Sequence, residues 1–478
     1  STGHTLIQAN PLMRNDELGL VSEYGLEYIE PDPVAHVVFP DGEAFTMWHD
    51  LDRTCDEIAR FSPKDADAYR RMLDEYDAIK DVQGRYRFNP IGFAPTPDEM
   101  LMERPGGSKW LRRNAISAWD VIGREFESRH VQSFMLWMAY QTLQPADSLG
   151  SGGLAYSLIY GRQQRSWSIP KGGSGELSKA IVRAFEDLGG RIECNKRVSG
   201  LVVENGRCTG VETDDGERYM GTKAVVSTIH VKDLVDMAPA DEWGDDFLYG
   251  IDTYDEGTSV FAVYLQTTEA PQYPAAGGGG TISAVSAGPI GWPEDVLRLG
   301  REVRQGKLQT DGTWLLIATP SLADPSRVPE GGGQTVKLLG PQPYEPEGDD
   351  PARWAELKYD VAAKWREQLV RCAPNMTDDK IAGMYVKSPV DVWESNPHMW
   401  HGAMHGGDRG LAHSGKMRPA PGWAQHRMPI DGLYQTGATT HPGGSITGGP
   451  GRNAAIVMLT DFGHDPAAVM SAHKEVVG

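Results

Sequence analysis

Apolar residues recur at three- and four-residue spacing through Leu177, Ala180, Ile181, Ala184, Phe185 and Leu188, the period that lays side chains along one face of a helix. The spacing predicts an amphipathic helix that opens at the glycine cluster Gly172-Gly-Ser-Gly175 and stops at Gly189-Gly190. After it the period changes to two. Alternation over Val198 to Val203, the turn pair Asn205-Gly206, a strand around Thr209 to Val211, the turn pair Asp215-Gly216 and the stretch Ala224 to Thr228 predict a three-stranded antiparallel meander and a strand returning to a sheet. Near the C-terminus, Gly432-Leu-Tyr-Gln-Thr436 leads through a glycine-rich stretch into Asn453-Ala-Ala-Ile-Val-Met-Leu459. This reads as a short buried strand, a turn, and a helix packed closely on a sheet.

Between these segments lie two insertions. Residues from about 50 to 165 carry mainly helical patterns, and Phe134-Met-Leu-Trp-Met-Ala-Tyr140 is expected either to line an apolar pocket or to form core. In the second insertion, Val260-Phe-Ala-Val-Tyr-Leu265, Trp314-Leu-Leu-Ile-Ala318 and Thr335-Val-Lys-Leu-Leu339 are strand-like, and Trp354 to Val370 is helical. Ala275-Ala-Gly-Gly-Gly-Gly280 and Pro341 to Asp350 read as surface loops.

A chain of 478 residues with 40% hydrophobic and 9% aromatic residues is long enough for two domains with sizeable cores. Its net charge of -20 argues against a nucleic-acid partner, whose phosphates would be repelled over most of the surface. No apolar run approaches the roughly 20 residues that span a bilayer, and no charged-then-apolar leader opens the chain, so neither export nor a transmembrane anchor is expected, although peripheral membrane contact stays open. The cysteines Cys55, Cys194, Cys208 and Cys372 show no CxxC spacing, which fits a reducing cytoplasm.

The glycine-rich turn carries the candidate chemistry. Glycines let the backbone approach a ligand without a Cβ in the way, and the free N–H groups of the first helical turn attract a pyrophosphate, so the ligand is expected to be a dinucleotide. In Gly432 to Ala455 the chain resembles the C-terminal flavin signature of the phytoene-desaturase-like FAD-dependent oxidoreductases, within the flavin amine oxidase and carotenoid desaturase-like superfamily. The middle helix, meander and return strand resemble the same family in the same order.

That resemblance implies an α/β protein: a Rossmann-like FAD-binding domain, incomplete in this chain, with an inserted α+β substrate domain. The implied segments are 1–49, a remnant and connection of the FAD domain; 50–165, the helical part of the substrate domain; 166–235, the middle FAD module; 236–424, the α+β part of the substrate domain; and 425–478, the C-terminal FAD module. FAD is the implied cofactor. Gly172 and Gly173 would pass close to the flavin, Val198 would offer its backbone to the adenine, and Ser227 and Thr228 would lie near the pyrophosphate. Gly437, Ala438, Gly444, Ser445, Ile446 and Thr447 would form the C-terminal contact. As alternatives, the Gly172-Gly173 pair is a capping device and Val198 plain core.

The implied activity is removal of hydride, by desaturation or by amine- or alcohol-type oxidation, from an apolar or partly apolar small substrate, with a nearby base free to take a proton. His405 and His441 are the candidate catalytic residues because both sit in turns beside the cofactor segments, and each could equally be a capping or packing histidine. His398, His401, His405 and His413 match no helical metal-ligand spacing, so no metal is expected. Two rivals remain: a redox-neutral, flavin-assisted isomerase, and the large subunit of a two-chain flavoprotein inactive without its partner. The second follows from a departure. The family begins with a strand, a GxGxxG turn, a helix and an acidic ribose ligand, and this sequence opens at Ser1-Thr-Gly-His-Thr5 without them. A βαβ unit of about 50 residues is therefore expected on a separate polypeptide, or on a leader that is cleaved or lies outside this sequence.

Overall fold

The computed structural model describes residues 3–469. Its largest sheet has seven strands in the order Ile381–Lys387, Val260–Thr267, Gln334–Pro341, Leu316–Ala318, Ser286–Pro289, Ala35–Val38, Ala44–Met47. All neighbours are antiparallel except Ser286–Pro289 with Ala35–Val38. Both faces of the sheet's centre are covered, and Tyr264, Met384 and Tyr385 are exposed toward its Ile381–Lys387 edge. Along Val260–Thr267, Phe261, Val263 and Leu265 point into a core with Trp354, Val361, Trp365 and Leu369 of the helix Trp354–Cys372. The alternate residues Val260 and Ala262 point into the other core, shared with the helical block.

Eight helices from Leu51–Ala59 to Gly152–Arg165 make up that block. The run Phe134 to Tyr140 falls in and just after the helix Arg129–Ala139, and each of its residues is at most 6% exposed. It is core, and of the two expectations the pocket wall is the one that fails. The reason is its place against the sheet, where the Trp314 indole donates to the Trp137 carbonyl at 2.9 Å and the Trp137 indole to the Leu315 carbonyl at 3.3 Å.

The nucleotide-type module is smaller. Helix Gly175–Asp187 precedes the antiparallel strands Val198–Glu204, Arg207–Thr213 and Arg218–Met220. The third strand of the meander is thus 218–220, and the stretch expected to close it instead contributes Val225–Ser227, which pairs in parallel with Leu433–Gln435. The glycine turn then leads into helix Gly449–Asp461. The N-terminal segment packs Ile7, Met13, Leu20 and Leu26 against Leu177, Ala180 and Ala184, and Asn10 Nδ2 donates to the Thr447 carbonyl at 2.7 Å.

Only part of the apolar face expected for helix 175–187 is buried. Ile181, Phe185 and Leu188 are 39%, 48% and 75% exposed. The N-terminal segment covers one flank of the helix, and on the other Gly190 lies against the exposed Phe185 ring. Ile192, in the irregular stretch that follows, and Val226, in the two-stranded sheet, are exposed as well.

Candidate cofactor and active site

The buried strand Leu433–Gln435 delivers the chain to Gly437, whose φ of +90° lies in the left-handed region that favours glycine. A Cβ there would also come within 3.2 Å of His398 Cε1 and 3.6 Å of the Thr228 carbonyl. Ser227 and Thr228 therefore abut the turn, and the Ser227 carbonyl accepts from the Thr436 N–H at 2.9 Å. The Ala438 N–H donates to His398 Nε2 at 3.2 Å. Farther along, a Cβ on Gly444 would lie 2.2 Å from the His405 carbonyl oxygen. The main chain at His405 thus rests directly on the glycine turn, which explains why Gly444 carries no side chain.

Arg418 locks this contact. Only 1% exposed, its guanidinium donates to the carbonyls of Ala438, Asp408, His413, His405 and Gly406 at 2.6 to 3.2 Å. Tyr254 Oη donates to the same Gly406 carbonyl at 2.8 Å. One buried cation therefore ties the 405–413 loop to the backbone of Ala438.

His405 and His441 both lie in this region but in different surroundings. Neither ring nitrogen of His405 has a hydrogen-bond partner among the described residues. Burial, with Arg409 and Arg418 adding, pushes its pKa down to about 3, so the ring is neutral at pH 7. His441 Nε2 donates to the Tyr86 carbonyl at 2.9 Å, and burial lowers its pKa to about 4. Ser445 has φ +84°, Ile446 packs beside the N-terminal core, and Thr447 Oγ1 accepts from the Gly449 N–H at 3.1 Å as the last helix begins.

The other expected contacts lie farther along the module. Gly172, at φ +86°, donates its N–H to Asp324 Oδ2 at 2.7 Å. Gly173, at φ +110°, has open space where a Cβ would stand. Val198 begins the meander, paired with Thr213. Arg409 is a site residue that sequence reasoning did not single out, and His398 entered it only as one of four histidines compared with metal-ligand spacing.

The residues around the turn fit FAD. Thr436 Oγ1, both His405 nitrogens and Arg409 Nη1 are shielded from solvent without a partner among the described residues, the condition expected where a polar ligand supplies the missing hydrogen bonds. No group of three His, Cys, Asp or Glu side chains among the described residues could hold a metal ion.

A parallel strand–turn–helix unit with a glycine turn is the local architecture of a dinucleotide-binding oxidoreductase. Residues 11–451 match the family of flavin-containing amine oxidoreductases, and the chain belongs to it. It is an FAD-dependent oxidoreductase with a Rossmann-like cofactor fold. A limonene dehydrogenase subunit of Castellaniella defragrans is 27% identical, with 96% of this chain and 86% of that protein covered. A lycopene-forming phytoene desaturase of Pantoea ananas is 25% identical, covering 96% of this chain and 89% of the relative. Among solved structures, an oxidoreductase from Methanosarcina mazei shares the fold at a TM-score of 0.53 and 12% identity, over 92% of this chain and 82% of that one. A cofactor-binding redesign of putrescine oxidase does so at 0.53 and 14%, over 96% and 86%. No helix among the described residues is long and apolar enough to cross a membrane.

Proposed function

We propose that the protein removes hydride from a C–H bond of an apolar or partly apolar small molecule, with FAD held against Gly437, Ala438 and Ser445 to Thr447. Bound FAD supplies a two-electron acceptor. The chain supplies position. Gly437 keeps the turn open to a ligand, Ser227 and Thr228 border it, and Gly172, Gly173 and Val198 serve the remaining length of the dinucleotide. Arg418 holds the His405 loop against this turn, and the unpaired His405 ring offers one N–H and one lone pair to whatever binds beside it. His441 is the second candidate, with Nδ1 free once Nε2 is given to Tyr86. The observation that carries the reading is the cluster of solvent-shielded, unpartnered polar atoms at a glycine turn that the His405 main chain touches.

The apolar character of the substrate is supported by the relatives named for limonene and phytoene. Four free cysteines support a cytoplasmic setting. A further polypeptide segment, on a partner or on this protein's own chain, covers the exposed flank of helix 175–187; the limonene dehydrogenase relative, named as one subunit of its enzyme, supports the partner.

Anaerobic addition of limonene, and then of phytoene, to the purified protein tests the function through the flavin absorbance. Bleaching by either one, with the dehydrogenated product formed in equal amount, is the expected result. A colourless preparation, or product formed without bleaching, speaks against it. Denaturing mass spectrometry of the same sample tests the partner: a co-purifying chain carrying a GxGxxG turn supports it, and a single species removes it.

A further inference from the structure

Toward its exposed edge, one face of the seven-stranded sheet gathers cations that carboxylates do not match. The strand register sets Tyr385 beside Tyr264 and Tyr264 beside Lys337 in one row, and residues paired in this way project from the same face. The two rings lie 6.2 Å apart, and Lys337 Nζ stands 5.2 Å from the Tyr264 ring centroid. Lys387 follows Tyr385 by two positions and so shares the face. On the other side of Lys337 the paired residue is Ala318, beyond which the short helices Pro320–Leu322 and Pro325–Arg327 bring Arg327 to the same group. Burial, and then repulsion from Lys387 and Arg327, push Lys337 down to about 8.

Lys337, Lys387 and Arg327 are half-buried rather than sealed, and none makes an ion pair with a described carboxylate. The charges around them are engaged. Asp324, the carboxylate that faces Arg327, is buried and accepts from the N–H groups of Gly172 and Ser326 and from the Ser326 hydroxyl at 2.7 to 3.2 Å. Asp391, just past the Lys387 strand, pairs with Lys358 at 3.1 Å and caps its own helix. Lys171 pairs with Glu27 at 2.8 Å, and burial pushes His4 down to about 4, which leaves it neutral at pH 7. Three positive charges therefore meet one negative charge, on a chain whose net charge is -20. Cations held together without partners repel one another, and a bound anion relieves that repulsion. Tyr264 and Tyr385, 38% and 58% exposed, border the group with apolar ring surface.

We propose that this face binds a small organic anion, with its carboxylate or phosphate held by Arg327, Lys337 and Lys387 and its apolar body against Tyr264 and Tyr385. The site uses none of the residues placed around the glycine turn, and it does not rest on the flavin.

Calorimetric titration of the purified protein, before and after saturation with FAD, with 4-phenylbutyrate, 3-phenylpropyl phosphate, 4-phenylbutanol and 4-phenylbutylamine tests it. The tighter of the two anions should bind at least about tenfold more tightly than the alcohol, with the amine weakest, and added salt should narrow the gap. Which anion binds more tightly identifies the head group. Lys337→Met combined with Arg327→Met should erase the preference and leave the alcohol's affinity unchanged, whereas Tyr385→Leu should weaken anion and alcohol alike. If the double variant does not fold, Lys337→Met alone decides, through a smaller anion preference and a smaller rise in thermal midpoint on adding the anion. Equal affinity for anion and alcohol, tighter binding of the amine, no binding of any probe, or a preference that survives the lysine and arginine replacements overturns the site. So does a preference that vanishes once FAD saturates the protein, because the cations would then serve the cofactor. A colourless preparation that takes up no FAD and still prefers the anion supports the site and counts against the oxidoreductase reading alone.

Discussion

Arg418 gives all of its hydrogen bonds to main-chain carbonyls and none to a carboxylate. Its removal leaves several buried acceptors unmatched at once, at about 1–3 kcal/mol for each that water cannot reach. Arg418→Met is therefore expected to free the 405–413 loop and to lower flavin occupancy, read from the ratio of flavin to protein absorbance, with Arg418→Lys intermediate; unchanged occupancy in both would remove the clamp. A second expectation concerns buried histidines. Burial pushes His36, His426 and His441 down to about 4 and His230 and His405 to about 3. Between the ordinary value of 6.5 and these folded-state values the unfolded chain binds more protons than the folded one, so stability falls as pH drops through that window. Thermal scans from pH 7.5 to about 4.5 should show a falling midpoint, less steep in His426→Gln. A flat profile would argue that these rings are protonated in place. At this scale the sequence disclosed little. His405 was singled out from its turn alone, whereas the hydrogen bonds of Arg418 run across loops that no local pattern encodes.

Among the elements, the strand–turn–helix at the C-terminus makes distinct demands on its glycines. Gly444 faces the His405 main chain at a distance no Cβ can occupy, whereas Gly451, exposed in the first turn of the last helix, has open space around it. Gly444→Ala should destabilise the fold by about 1–3 kcal/mol, and Gly451→Ala should stabilise it by about 0.5–1 kcal/mol through lower backbone entropy in the unfolded chain. Denaturant midpoints of the two variants check both signs. Helix 175–187 and the first two meander strands were legible because periodicity and the turn pairs Asn205-Gly206 and Asp215-Gly216 agree. The third strand was assigned too late because Arg218-Tyr-Met220 has little apolar alternation, while Val225-Val226 looks more strand-like. Ala35–Val38 and Ala44–Met47 were not read as strands: each is four residues long and buried on both faces, so neither shows a period.

At the scale of the molecule, two large cores contrast with an apolar flank on helix 175–187 that lies open. The seven-stranded sheet packs cores on both faces, with Tyr264, Met384 and Tyr385 exposed toward its Ile381–Lys387 edge, and Ile181, Phe185 and Leu188 face solvent. Patches of this kind mark association surfaces. Glutamine at positions 181, 185 and 188 should reduce association in sedimentation velocity without lowering the thermal midpoint; unchanged association would make the flank incidental. The strands of the large sheet at 260–267, 316–318 and 334–341 were legible from their apolar runs. The open flank was not, because a helix reads the same from its own residues whether its apolar face is covered or bare.

The central claim is where FAD lies. Hydrogen exchange of the flavin-loaded protein, compared with the same preparation after flavin removal, tests it without knowledge of the substrate. Protection gained on loading is expected at Gly172 and Gly173, at Ser227 and Thr228, and most strongly from Gly437 to Thr447. Protection confined to other segments, with the glycine turn exchanging equally in both states, would contradict the placement of the cofactor.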